Sequence, residues 1–197
     1  MSVLTTFYIT YMAVLYAIII AFSVVAYILT GKSLSAIARR RGIEKPWLAW
    51  VPVGSDWLLG CISDQYRYVV HGQERNARGK LLKLGIIRVS GALIVGMIAG
   101  FVAGLGIAEA SEDVVLVLAL LLILLVYGLL AVLVVYLVAY YKALHDLFRS
   151  CNPNLSLVFL LVSIFTSYPG PFFLFACRNK DLGMPPKQEP EQLPVTE

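Results

Sequence analysis

Long apolar runs alternate with short polar segments along this chain. No Lys, Arg, Asp or Glu occurs in Phe7–Thr30, Val89–Ala108, Val114–Tyr141 or Leu155–Cys177. The first run has 24 residues. As a helix, at about 1.5 Å per residue, it is about 36 Å long, enough to cross a hydrocarbon core of about 30 Å. Tyr8 and Tyr11 near one end and Tyr27 near the other sit where an interfacial aromatic belt belongs. Leu84–Ala108 predicts a second span, with Arg88 in its first two turns reaching back toward the headgroups. Val114–Tyr141 predicts a third, long enough to tilt. Tyr136, Tyr140 and Tyr141 gather toward its end.

Two apolar stretches do not fit a simple span. Pro46–Ser63 contains Trp47, Trp50 and Trp57 but is interrupted by Pro52, Gly54 and Asp56, and basic residues flank it on both sides. Same-sign flanks place both ends on one side of a bilayer, so the segment reads as re-entrant or interfacial. A break exposed to lipid would strand backbone groups, so this one belongs in protein or near water. Leu155–Cys177 is long enough to span but is broken by Tyr168-Pro169-Gly170-Pro171. A hairpin, which returns Arg178 and Lys180 to the side of the other basic residues, is favoured over a full crossing. The expected fold is therefore all-α: an integral membrane helical bundle with three full transmembrane helices, one Trp-rich re-entrant or interfacial segment and one broken C-terminal hydrophobic segment. Residues 1–180 form the helical membrane domain, and 181–197 read as a disordered, Pro-rich polar tail.

Charge orients this arrangement. Between the second and third spans, Glu109-Ala110-Ser111-Glu112-Asp113 is acidic only, whereas every Lys and Arg lies beside the other ends of the apolar runs. The Lys/Arg bias puts the basic segments in the cytoplasm and the N-terminus outside, with the tail on the cytoplasmic side. Lys32–Lys45 reads as a short basic connector that Gly42 ends, and Asp64–Lys83 as a basic loop or surface helix. No cleavable signal peptide is expected, since no basic region precedes the first apolar run.

Composition agrees: of 197 residues, 59% are hydrophobic and only 14% charged, with a mean hydropathy of +0.81. The formal charge of +4 comes from residues flanking apolar runs, not from a separate basic domain. This argues against nucleic acid and for a bilayer with anionic inner-leaflet lipids. Cys61, Cys151 and Cys177 match no disulfide framework or metal motif and read as reduced thiols.

Candidate chemistry is sparse. Ala26-Tyr-Ile-Leu-Thr-Gly31-Lys32-Ser33 matches a loose phosphate-loop pattern, but it lies at the end of a membrane helix and lacks the strand–loop–helix context. His71, His145, Cys61 and Cys151 do not form the close pairs that zinc sites use. His145-Asp146 could supply a general base, but no nucleophile in a recognisable context accompanies it. No cofactor is expected. Asp56 is the most informative polar residue: a carboxylate in a broken apolar segment is a site candidate, with Arg88 or a basic loop residue as partner. The reading favoured over that one makes Asp56 the N-cap of a short helix beginning at Trp57, after a Gly54-Ser55 turn. Ala92, Gly96, Gly100, Gly104 and Ala108 recur every four residues, a ladder of small residues that lets helices approach closely. It suits packing within the chain, the reading favoured, or self-association.

Arg41-Gly-Ile-Glu-Lys-Pro-Trp-Leu-Ala-Trp-Val-Pro52, followed by Trp57-Leu-Leu-Gly60, resembles an RGI-x-x-PWLAW-x-P…LLG element of small, uncharacterised multi-pass membrane proteins of Gram-positive gut bacteria. Phe172–Phe175, Arg178-Asn179-Lys180 and Gly183–Pro186 resemble the end of the same proteins. The matched pieces cover about a fifth of the chain. The resemblance implies a bacterial cell-membrane protein and carries no activity. Two functions are expected from the residues. The first is a non-enzymatic multi-pass protein that acts through helix packing, as an assembly or partner-binding subunit, with a homo-oligomer or another membrane protein as partner. The alternative is a small transporter or channel-like protein with its site near the two broken apolar segments. An enzyme would need Asp56, Asp64, His71 or His145 to converge.

Overall fold

The computed structural model describes residues 3–107, 112–166 and 170–185. Among them it is all-helical, with six α-helices and one 3-10 helix. These are α1 (Val3–Arg40), the 3-10 helix Pro46–Trp50, α2 (Pro52–His71), α3 (Ala77–Ile107), α4 (Glu112–Cys151), α5 (Ser156–Thr166) and α6 (Gly170–Cys177). Three of them, α1, α3 and α4, are long and apolar enough to cross a membrane. Most of the acidic interhelical loop lies outside the described residues, as does Ala108.

Each long helix exceeds what a bilayer needs. α1 has 38 residues and α4 has 40, so they extend to about 57 and 60 Å. The surplus lies at the basic end, and the protein core sits there. Buried Leu34, Ile37 and Ala38 come from the last turns of α1, and Ala143, Leu144, Leu147, Phe148 and Cys151 from the last turns of α4. Leu58, Leu59 and Ile62 of α2, Leu81 of α3, and Leu174 and Cys177 of α6 complete it. The membrane-length windows of α1, α3 and α4 have no buried residue. Among the described residues the α1 backbone comes close to neither α3 nor α4; it lies against α2, α6 and the 3-10 helix. Mean burial in a soluble domain would make this an aggregating surface, but apolar helix faces are what acyl chains solvate.

The Trp-rich segment folds back as a helical hairpin, a 3-10 helix followed by α2. α1 ends at Arg40, and Gly42 turns the chain with φ 69°, a left-handed conformation that glycine adopts without strain. The 3-10 helix then climbs beside α1 until Trp50 lies against Gly31 and its carbonyl accepts a hydrogen bond from the Tyr27 hydroxyl. α2 descends again to the basic end, where Gly72 closes it with φ 62°. The break falls at Val51, in extended conformation, and not at Gly54–Asp56. Pro52 occupies the first helical turn, where its missing N–H costs nothing, so it starts a helix instead of interrupting one. Gly54 is needed for approach: a Cβ there would meet the Leu48 carbonyl oxygen at 2.6 Å.

α2 runs antiparallel to α3 in close contact. A Cβ on Gly60 would collide with the α3 backbone at Arg78. The Asp64 carboxylate accepts from the first free backbone amides of α3, Ala77 N at 2.8 Å and Arg78 N at 3.1 Å, and Asn76 Oδ1 accepts from Gly79 N. The expected basic loop is thus two helix ends locked by an acidic cap.

The C-terminal hydrophobic segment is two helices, of 11 and 8 residues, about 16 and 12 Å long and each too short to span. α5 leaves the basic end beside α4, with Phe159 against Phe148, and α6 returns beside α1, with Phe172 against Phe22. Phe159 and Phe173 stack with ring centroids 4.7 Å apart. Of the Tyr168-Pro-Gly-Pro171 break, Tyr168 and Pro169 lie outside the described residues, and Gly170 and Pro171 begin α6. Arg178 and Lys180 therefore return to the end that holds Arg40, as a hairpin requires.

The tail boundary differs from expectation. Asp181–Pro185 are described, and they close onto the core: Leu182 N donates to Cys151 O at 3.2 Å and Gly183 N to Ser150 O at 3.0 Å. Asp181 bridges Arg40 and Arg41, and the buried Arg41 also donates to Ser150 Oγ at 2.8 Å. An ion pair with a buried arginine and two backbone bonds fix what looked in sequence like the start of a polar tail. Residues 186–197 lie outside the described set.

Candidate functional site

α2 carries two polar clusters into the interior, one near each end. The upper cluster centres on Asp56. It lies in the first turns of α2 and is 5% exposed, with its side chain directed between α3 and α4. Its Oδ1 accepts from the Tyr136 hydroxyl at 2.9 Å, and its Oδ2 lies 3.8 Å from Arg88 Nη2. The Arg88 guanidinium also rests 4.3 Å from the Tyr136 ring centroid. Tyr140, one turn on, stacks against Tyr136 with centroids 5.8 Å apart. Gly85 makes room: a Cβ there would sit 2.9 Å from Asp56 Oδ2.

This geometry corrects the N-cap reading. Asp56 is not an N-cap, because the helix begins four residues earlier at Pro52 and its side chain points inward. Of the two kinds of partner weighed, Arg88 and a basic loop residue, Arg88 is the one at ion-pair distance. A buried carboxylate with one hydroxyl donor and one cation at ion-pair distance is held by opposing effects. Burial disfavours its charge, and the Tyr136 and Arg88 contacts favour it. Oδ2 is buried and makes no hydrogen bond, so the Arg88 contact is electrostatic in character.

The lower cluster centres on Asp146, 3% exposed. Its Oδ2 accepts from Ser63 Oγ at 2.7 Å and Arg67 Nε at 2.7 Å, and its Oδ1 from Arg67 Nη2 at 2.9 Å. Arg75 Nη1 is 3.9 Å from Oδ2. The two-pronged Arg67 contact is the strong, geometry-specific form of the pair, and it pushes the Arg67 pKa further up. Asp146 therefore ties α4 to α2 and does not stand free beside His145 as a base orienter.

Clefts open around these clusters. One of about 430 Å³ runs between α4 and α5, lined by apolar Val134, Leu137, Val138 and Leu160 with Arg67, Lys142 and His145 at its polar end. A second, of about 600 Å³, lies outside α2 and holds Cys61, Asp64, Arg75 and Arg78. Burial pushes the Cys61 thiol up to about 11; Arg78 acts against this and Asp64 with it. A third, of about 670 Å³, lies between α1, the 3-10 helix and the end of α6.

The remaining sequence candidates separate. Gly31-Lys32-Ser33 lies within α1, and Ser33 is fully buried with its hydroxyl donating to Leu29 O, so no phosphate loop forms there. Asp64 caps α3, His71 sits edge-on to Tyr66, and His145 faces the α4–α5 cleft, so these groups and Asp56 have separate partners. Among the described residues no group of three or more His, Cys, Asp or Glu could hold a metal ion. Among the described residues the glycine ladder forms no seam inside this chain, against the reading favoured from sequence. Ala92, Gly96, Gly100 and Gly104 are exposed, and Cβ atoms on those three glycines would meet nothing within 4 Å. The α3–α4 contact uses a neighbouring face, where a Cβ on Gly91 would come 2.7 Å from Leu129 Cδ1. Comparison with protein-family models, with curated proteins and with solved structures returns no match for this chain.

Proposed function

We propose that this is a non-enzymatic multi-pass protein of a bacterial cell membrane, acting as an assembly subunit through the exposed ladder of α3. The observation that carries the reading is the open glycine face. Gly96, Gly100 and Gly104 present three successive turns of bare backbone to the surroundings. Small residues spaced by four are what close membrane-helix contacts use, and among the described residues no helix of this chain packs on them. A second copy of α3 is the partner of matching shape. Met97, Phe101 and Leu93 flank the ladder and are exposed, ready to interlock around it.

In this reading the basic end faces the cytoplasm, following the Lys/Arg rule. The N-terminus lies outside and residue 185 inside. A fluorescent-protein fusion that matures only in the cytoplasm should then glow at the C-terminus and stay dark at the N-terminus; the reverse pattern would invert the orientation.

Gly100→Leu tests the assembly role. Within one copy the side chain has open space, so the fold should survive. Crosslinking in native membranes through a cysteine at Met97 should fall at least tenfold. Unchanged crosslinking with an unchanged fold would remove the ladder as the assembly surface.

The transporter alternative is favoured by one observation, the buried Asp56–Arg88–Tyr136 cluster that the Trp-rich segment forms with α3 and α4. It predicts that Asp56→Cys, in a chain whose native cysteines are replaced, reacts with a small aqueous thiol reagent. Complete protection would count against a water-lined path.

A further inference from the structure

The third cleft has a composition unlike the other two. Its lining includes Lys32, Arg39, Arg40 and Arg178, with Trp50 and Asn179, and contains no carboxylate. Lys32 and Arg39 are exposed and lie two turns apart on one stripe of α1. Among the described residues neither has an acidic partner. Arg40 is differently placed: it pairs with Asp181 and donates to the carbonyls of Arg178 and Lys180, at 2.7 and 3.1 Å. It therefore fixes the far wall of the cleft. The Arg178 guanidinium lies 3.8 Å from the Phe175 ring centroid, which holds its charge at the rim.

The position of the cleft is as specific as its charge. Lys32 comes two residues after the uncharged run of α1 ends. At that level Trp50 packs on Gly31 and lies edge-on to Tyr27, with centroids 6.2 Å apart. An aromatic pair where an apolar run gives way to lysine and arginine marks headgroup depth. Above it the exposed face of α1 is apolar, with Val24, Val25 and Ile28; below it the cleft is cationic. A cavity of about 670 Å³ is of the size that holds a small polar ligand.

We infer that this cleft binds the phosphate head group of a single anionic phospholipid, with Lys32 and Arg39 contacting the phosphate, Trp50 and Asn179 the headgroup substituent, and the acyl chains lying along the apolar face of α1. Asp181 neutralises part of the Arg40 charge. Among the described residues no carboxylate lies beside the remaining excess, and phosphate, to which guanidinium groups donate in fork geometry, matches it. This inference is independent of the glycine ladder and needs only that the protein sits in a membrane.

Native mass spectrometry of the full chain, released from a mild detergent, provides the test. Phosphatidylglycerol should give one retained adduct at a concentration at least tenfold below that needed for phosphatidylcholine. Lys32→Gln with Arg39→Gln should remove that preference, and Lys32→Gln alone should weaken it. Lys142→Gln, which removes an exposed cation at the α4–α5 cleft, should leave it unchanged. Equal affinity for the two lipids would overturn the site, as would equal loss in the Lys142 variant, which would mean diffuse charge attraction. Displacement of the lipid by glycerol phosphate at similar concentration would overturn the lipid source and assign the cleft to a soluble phosphate ester.

Discussion

The Arg88 guanidinium lies 3.8 Å from the Asp56 carboxylate and covers the ring of the tyrosine, Tyr136, that donates to that same carboxylate. One cation thus serves two members of one cluster and joins α2, α3 and α4 at a single level. Removing one member of a buried pair costs more than removing both, because the survivor keeps its burial and loses its compensation. Arg88→Met should destabilise the protein by about 3 kcal/mol, at the low end of the range for buried pairs because Arg88 is partly exposed. Asp56→Asn combined with Arg88→Met should recover at least about 1 kcal/mol of that loss. Denaturant titration in detergent measures both; a double variant as unstable as the sum of the singles would mean the two side chains are not coupled.

Asp146 and Arg67 predict an asymmetry. The Arg67 side chain is 28% exposed and that of Asp146 only 4%. Without Asp146, Arg67 can turn to water. Without Arg67, the Asp146 carboxylate stays buried with Ser63 and a more distant Arg75. Arg67→Ala should therefore cost more than Asp146→Ala, about 3 kcal/mol against about 1–2 kcal/mol. Equal costs in the same unfolding experiment would refute this account.

Two glycines, one on α2 and one on α3, should differ in their response to a methyl group. Gly60→Ala forces the α2 and α3 backbones apart and should cost about 1–3 kcal/mol. Gly100→Ala meets open space and should change monomer stability by less than about 0.5 kcal/mol. Melting temperatures of the two purified variants, side by side, decide it.

Cys61 should be a slow thiol. Alkylation runs through the thiolate, and a pKa of about 11 against an ordinary 9.0 lowers its fraction at neutral pH roughly a hundredfold. Because the folded-state value is raised, reactivity should climb tenfold per pH unit from 7 to 10 and level off only near 11. Peptide mapping after timed maleimide labelling would show it; a plateau by pH 9 would contradict the burial argument.

How much of this could be read from the chain depended on whether a partner was near in sequence or pattern. The three spans were legible because charge-free runs of that length have few alternatives. The hairpin of α5 and α6 was legible because a Pro-Gly-Pro and the returning basic residues agree. Asp56 was only half legible: a carboxylate in a broken apolar segment pointed to a cation such as Arg88, but the Gly54-Ser55 turn pointed more strongly to an N-cap. The helix start at Pro52 was not, since Pro and Gly mark an interruption as readily as a beginning, and only the approach of Leu48 to Gly54 distinguishes them. The role of Asp146 was missed because its partners are 79 and 83 residues away. A signal existed: Ala143, Leu147, Ser150 and Cys151 trace one buried helical face, and Asp146 falls on it. The docking of Asp181 left no such trace, as three short polar contacts carry no periodicity.

The placement of the core entirely at the basic end has a consequence for how the molecule is handled. Its upper half owns no dry interior, so the medium around α1, α3 and α4 completes it. An unfolding curve recorded in micelles reads the lower half alone. A substitution among Leu93, Met97 and Phe101 can be silent in that curve and decisive in a bilayer, where neighbouring chains and acyl tails supply the missing wall.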